Sequence, residues 1–261
     1  MSRIASTFAE LRHAKKLGLI AYLTVGYPDV ATTLALVPAL AEAGVDVFEL
    51  GVPFSDPLAD GATIQQASHI ALEQGVTPGT CLEVAGELRE RGVQQPLILM
   101  GYYNPILRYG LERFCDASQR AGVDGFIVPD LPPEEAAELG VACVARGLDL
   151  VPLLAPTATD ERIETVASTA SGFIYCVSLT GVTGARRDLS PELFGFLERV
   201  RTRTELPLAV VFGISTREHL DALAGRADAA IIGSALIDLL GRLPEVERIA
   251  GLQQYVASLR A

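Results

Sequence analysis

Short aliphatic and β-branched runs that alternate eight times with helix-length stretches predict an α/β chain of the single-domain (β/α)8 TIM-barrel class. A length of 261 residues matches the content of eight such units. Several units also announce their next strand alike, with a glycine, an apolar residue and an aspartate. A doubly wound open sheet ranks second, because no Gly-x-Gly-x-x-Gly follows the first run.

The runs cover residues 19–25, 45–50, 97–100, 123–128, 148–153, 173–177, 208–212 and 229–232. Amphipathic stretches such as 31–43, 134–146 and 160–168 predict the intervening helices. Gly44-Val45-Asp46, Gly122-Val123-Asp124 and Gly147-Leu148-Asp149 each place a left-handed helix stop before a strand. Two intervals between run starts, 52 residues after the second run and 35 after the sixth, exceed one loop plus one helix. Extended functional loops are expected in both. No Pro- or Ser-rich linker divides residues 1–261, so a single domain is expected.

Twenty-one Lys and Arg against 32 Asp and Glu leave a formal charge of −11, which argues against nucleic acid or an anionic membrane as partner. No early apolar stretch has a basic segment before it and a small-residue cleavage site after it, and no membrane-length apolar run appears, so a soluble, unprocessed protein is expected. The four cysteines, Cys81, Cys115, Cys143 and Cys176, form no Cys-x-x-Cys pair and suit buried thiols in a reducing compartment, so a cytoplasmic location is expected.

The segment from Val45 to Gly61 is the richest in chemistry. Strand alternation puts Glu49 on one face with Val45 and Val47, and Phe48 and Leu50 on the other. A carboxyl at the top of an apolar barrel is desolvated, which raises its pKa and suits it to moving protons near neutrality. An ion pair with an arginine is the structural alternative for Glu49. Asp56 and Asp60 follow among Pro53, Pro57 and Gly61, where either is equally a turn former.

Glycines recur after the last three strands, at Gly181 and Gly184, at Gly213, and at Gly233 beside Ser234. Loops after neighbouring strands converge in a barrel, and their backbone N–H groups can hold a phosphate without lysine. Each glycine taken singly reads first as a turn former, and the phosphate reading rests on their triple placement. The only lysines, Lys15 and Lys16, precede the first strand in a helical stretch, which leaves no amine for a Schiff base or a pyridoxal site. His13, His69 and His219 fall in helix-like segments away from strand ends, so no metal site is expected.

Glu49-Leu-Gly-Val-Pro-Phe-Ser-Asp-Pro-Leu-Ala-Asp-Gly61 resembles the signature of the tryptophan synthase alpha subunit family. The resemblance continues through Tyr102-Tyr-Asn-Pro105, Val128-Pro-Asp-Leu-Pro-Pro133, Leu153-Leu-Ala-Pro-Thr157, Thr180-Gly-Val-Thr-Gly-Ala185 and Phe212-Gly-Ile-Ser215. Ala62 and Val211 depart from the family's usual proline and glycine.

The resemblance implies retro-aldol cleavage of indole-3-glycerol phosphate to indole and glyceraldehyde 3-phosphate. Glu49 would be the catalytic acid and base, and Asp60 would bind the indole nitrogen. It further implies that Gly184, Gly213, Gly233 and Ser234 contact the phosphate and that Tyr175 is an active-site tyrosine, with core packing as that residue's alternative. Tyr22, Met100, Ile127, Leu153 and Phe212, at strand ends, are candidate walls for the indole or ordinary core.

No cofactor is expected in this chain. Pyridoxal phosphate is expected only in a beta subunit, within an alpha-beta-beta-alpha heterotetramer docked on residues 53–61, 102–105 and 128–133. Residues 179–189, with Arg186 and Arg187, are expected to form a lid. A phosphosugar isomerase on the same barrel and a non-catalytic activating subunit are the rival readings. Apolar strand ends argue against the first, and the intact Glu49 and Asp60 against the second.

Overall fold

The computed structural model describes residues 2–178, 189–211 and 213–260. Nine parallel strands run in the order β5-β4-β3-β2-β1-β9-β8-β7-β6. They are β1 (Gly18–Thr24), β2 (Val47–Gly51), β3 (Leu97–Met100), β4 (Gly125–Ile127), β5 (Asp149–Val151), β6 (Leu153–Leu154), β7 (Ile174–Val177), β8 (Leu208–Val211) and β9 (Ala229–Ile232).

Nine strands occupy eight barrel positions. The fifth predicted run is one stave cut in two by Pro152, which has no N–H to give to a ladder. β5 pairs with β4 on one side and β6 with β7 on the other. The Pro152 carbonyl still accepts from the Tyr175 N–H at 3.0 Å, so the barrel closes across the proline.

Side-chain alternation sorts the staves into two layers. Ile20, Val47, Ile98, Ile127, Val151 and Phe173 pack in the barrel interior, and Leu19, Phe48, Leu50, Leu97 and Leu99 pack outward. The first helix, α1 (Arg3–His13), inserts Ile4, Phe8 and Leu11 into that interior cluster and plugs the N-terminal end. The Phe8 and Phe173 rings meet at 5.4 Å.

Val45, expected on the inner face with Val47, packs in the outer layer instead. Its N–H donates to Leu40 O at 3.0 Å, closing the exit turn of α2 (Val30–Glu42) through Gly44, so the strand begins only at Val47. The three expected helix stops do take left-handed backbone, with φ of 106°, 75° and 67° at Gly44, Gly122 and Gly147.

Two of the aspartates after these stops cap staves at the barrel floor, while Asp149, after the third, accepts from the Ser2 hydroxyl at 2.7 Å. Asp46 Oδ2 accepts the Leu19 N–H at 2.8 Å, and Asp124 Oδ2 that of Leu97 at 2.8 Å. Asp228, preceding β9, does the same for Leu208. In each pair the aspartate's own N–H returns to the carbonyl of the same partner, so one side chain caps the start of a neighbouring stave. Arginines complete each group: Arg260 on Asp46, Arg89 and Arg3 on Asp124, and Arg12 and Arg201 on Asp228.

The long interval after β2 resolves into a loop at residues 52–61, α3 (Ala62–Glu73) and α4 (Pro78–Glu90). Thr77 caps α4 in a capping box with Thr80, and Pro78 sits at the first turn. Both start a second helix in an interval where an extended loop is expected to account for the extra length. α5 (Tyr103–Tyr109) and α6 (Leu111–Arg120) follow β3.

The helix expected at 134–146 shortens to α7 (Ala137–Val144), because the chain first turns over Pro132 and Pro133. α8 (Asp160–Thr169), α9 (Pro191–Arg201), α10 (Arg217–Leu223), α11 (Ser234–Arg242), a 3-10 turn (Glu245–Glu247) and α12 (Arg248–Arg260) complete the outer shell. Among the described residues no helix is long and apolar enough to cross a membrane.

Candidate active site

The C-terminal ends of the strands open on a cavity of about 310 Å³. Tyr22 of β1, Met100 of β3, Leu153 of β6 and Tyr175 of β7 contribute apolar walls. Asp60 enters from the 52–61 loop, and Gly213, Gly233 and Ser234 lie along the β8 and β9 side. Eight predicted residues, far apart in sequence, therefore share one chamber.

Ile127 does not line it; the side chain is fully buried in the interior cluster. Gly184 and Phe212, and all but Leu189 of the expected 179–189 lid, lie outside the described residues.

Glu49 sits beside Tyr22 in the β1–β2 register, inside the barrel and wholly buried. Tyr175 donates its hydroxyl to Glu49 Oε2 at 3.3 Å across the barrel, while Oε1 has no partner among the described residues. No arginine reaches this carboxyl among the described residues, so the ion-pair alternative does not apply. Burial penalises the anion and outweighs the Tyr175 hydrogen bond, pushing the Glu49 pKa up to about 8. At neutral pH Glu49 is mainly a protonated acid.

Asp60 is half-buried, and burial likewise raises its pKa, against a lowering hydrogen bond from Tyr102. Tyr102 donates to Asp60 Oδ2 at 3.1 Å and accepts the Ala59 N–H at 2.9 Å. The Tyr22 hydroxyl bonds Thr24 at 3.3 Å and lies where a Cβ on Gly51 would come within 2.2 Å of it. Gly51 is therefore the residue that lets Tyr22 lie across the top of β2.

Ser234 opens α11 with Gly233 before it, so free backbone N–H groups of a nine-residue helix face the chamber. Gly213 adopts φ 74°, a left-handed backbone that a side chain would strain. The acidic end and this polar end flank an apolar middle. A ligand with a flat apolar ring and an anionic tail suits that layout.

Sequence reading missed Ile64, Pro129, Val177, Ile231 and Ile214 as walls. Val177 and Ile231 were open to it from strand alternation; Ile64 enters from α3, whose approach to the rim is a tertiary fact. Tyr102 reads in sequence only as part of a family segment and of a docking face. Lys15 and Lys16 lie after α1 at the opposite end of the barrel, Lys15 at φ 53° in a turn rather than the expected helix. Among the described residues no group of three His, Cys, Asp or Glu could hold a metal ion. His13 and His69 are exposed, and His219 is buried, its Nδ1 accepting the Ser215 N–H at 3.2 Å.

The tryptophan synthase alpha chain family matches residues 8–259. The tryptophan synthase alpha chain of Roseiflexus sp. (strain RS-1) is 56% identical over 260 residues, covering 100% of both chains. The tryptophan synthase of Saccharomyces cerevisiae is 44% identical over 258 residues, 98% of this chain and 36% of that protein. Among solved structures, tryptophan synthase subunit alpha from Legionella pneumophila superposes with a TM-score of 0.92 at 36% identity, covering 100% of this chain and 97% of that one. Tryptophan synthase from M. tuberculosis in its aminoacrylate-bound form gives 0.88 at 34%, covering 99% and 98%.

Proposed function

Because the chain belongs to the tryptophan synthase alpha chain family, we propose that it is a single-domain carbon–carbon lyase cleaving indole-3-glycerol phosphate to indole and glyceraldehyde 3-phosphate. The observation that carries the reading is a wholly buried Glu49, bonded to Tyr175, beside a chamber that Asp60 enters. The isomerase and the merely activating subunit are not favoured.

Protonated Glu49 turns its side chain into the chamber and gives its proton to C3 of the indole ring. The ring becomes an electron sink, and Asp60 stabilises the positive charge at the ring N–H. The Glu49 carboxylate takes the proton of the C3′ hydroxyl, the C–C bond breaks, and the aldehyde forms. One proton enters and one leaves, so Glu49 ends as it began. Tyr22, Met100 and Leu153 wall the indole, with Ile127 in the cluster on which Met100 and Leu153 pack; Gly213, Gly233 and Ser234 hold the phosphate, and Phe212 and Gly184, outside the described residues, are proposed as further substrate contacts.

This chemistry needs no cofactor in the chain. Pyridoxal phosphate belongs to a beta subunit that consumes the indole, since both lysines lie at the opposite end of the barrel. We place the pair in the cytoplasm, where the four free thiols stay reduced, as an alpha-beta-beta-alpha heterotetramer. Leu58, 94% exposed, and Leu107, 51% exposed, present apolar surface beside the docking segments.

The test is indole release from indole-3-glycerol phosphate by the purified chain. Adding a beta subunit should raise the rate about tenfold or more. No indole with or without that subunit would overturn the reading.

The phosphate assignment has a separate test. Ser234→Asp should raise KM at least about tenfold, by setting a carboxylate against the dianion. Its melting temperature should hold, because an acid at a helix N-terminus is favourable. An unchanged KM would place the phosphate elsewhere.

A further inference from the structure

We infer that Tyr102 is a positioning residue for Asp60, its single hydroxyl tying the loop backbone and the carboxylate together so that the carboxylate enters the chamber in one direction. The inference rests on the assignment of Asp60 to the indole nitrogen and deepens it.

The 52–61 loop has several backbone anchors. The Asp60 N–H donates to Pro57 O at 3.1 Å, and the Gln65 side-chain amide donates to Asp60 O at 2.9 Å. These hold the main chain and leave the carboxylate free to rotate. Among the described residues, Tyr102 is the side chain that bonds the carboxylate itself.

The direction of that bond follows from its neighbour. The Ala59 N–H can only donate, so the phenol oxygen must accept from it at 2.9 Å, and the phenol proton is left for Asp60 at 3.1 Å. A hydroxyl so oriented favours the ionised carboxylate.

Tyr102 is well placed to set a direction. Its ring is buried and packs on Phe54 at 5.2 Å, within the same loop. Its backbone neighbours are pinned to the next stave and to the turn after it: Gly101 N–H to Ile127 O at 3.1 Å, and Tyr103 N–H to Asp130 Oδ1 at 2.9 Å. One end of the bond is thus rim scaffold, and the other is loop.

The ionisable groups that interact with Asp60 are Tyr22 from β1, Tyr175 from β7 and Tyr102 itself, with Glu49 beside Tyr22 and Tyr175 and Asp130 beyond Tyr102. None of these is a cation. The Tyr102 bond therefore carries the stabilisation of the Asp60 anion among the described residues, and its loss must raise the Asp60 pKa.

Tyr102→Phe keeps the ring and its packing on Phe54 but removes the hydroxyl. The expected result is a kcat for indole release lowered roughly ten- to hundredfold. KM should stay within about threefold, the melting temperature should hold, and the acid limb of the pH–rate profile should move to higher pH. In an Asp60→Asn background the same change should have no further effect.

A kcat for Tyr102→Phe within about twofold of the parent, an unmoved acid limb, or a full additional loss in the Asp60→Asn background would overturn the positioning role. A normal rate for Asp60→Asn alone would instead overturn the assignment of Asp60.

Discussion

Glu49→Gln is expected to lower kcat roughly 10²–10⁴-fold while KM changes little, since the amide fills the same space but has no proton to move. The chamber walls do not depend on this residue, which lies wholly buried beside them. The pH dependence sharpens the expectation. Glu49 has a pKa raised to about 8 by burial, against the opposing Tyr175 hydrogen bond. The parent rate should therefore fall as pH rises through about 8, where the acid is lost. That basic limb should be absent from the residual activity of Glu49→Gln. Near-parental turnover in the variant, measured as indole release, would remove Glu49 from the mechanism.

The largest loss of stability is expected at the barrel floor, from Asp228→Ala. Asp228 accepts the Leu208 N–H at 2.8 Å and Arg12 Nε at 2.7 Å, and it also bonds Arg201. Its removal leaves a buried strand N–H and two guanidinium groups without their acceptor. The arginine side chains are 42% and 36% exposed, so water recovers part of the loss. A cost of about 2–3 kcal/mol follows, read by denaturant or thermal unfolding.

The same residue gives a pH signature. Burial alone would raise the Asp228 pKa, but hydrogen bonds from Arg12, the Leu208 N–H and Arg201 overcome it, and the net shift is downward. A depressed carboxylate pKa stabilises the fold above the ordinary aspartate range and ceases to do so as pH falls through the folded value. The stability gap between parent and variant should narrow below about pH 4. A gap constant from pH 7 to pH 3 would show that the charge of Asp228 is not what matters there.

Much of the molecule was legible from local pattern. The eight runs map onto eight staves, and the three Gly-apolar-Asp stops take the left-handed backbone expected of them. Alternation put Glu49 on the inner face because residues two apart share a face in any strand. The same rule failed for Val45, because it cannot say where a strand starts, and Val45 is still closing the turn of α2. The fifth run reads in sequence as one strand through Pro152, and only the pairing of its halves with β4 and β7 reveals the cut and how the barrel closes there.

The chain order by itself determined the barrel class, the catalytic rim and the candidacy of Glu49 and Asp60, for these follow from periodicity and from residues adjacent in sequence. Tertiary structure decided what those groups can do. Tyr175 meets Glu49 across 126 positions, and Tyr102 meets Asp60 across 42. The burial that makes Glu49 an acid is supplied by staves from the whole ring. Desolvation and hydrogen bonding act through space, and no local sequence pattern records which side chains a closed barrel will bring face to face.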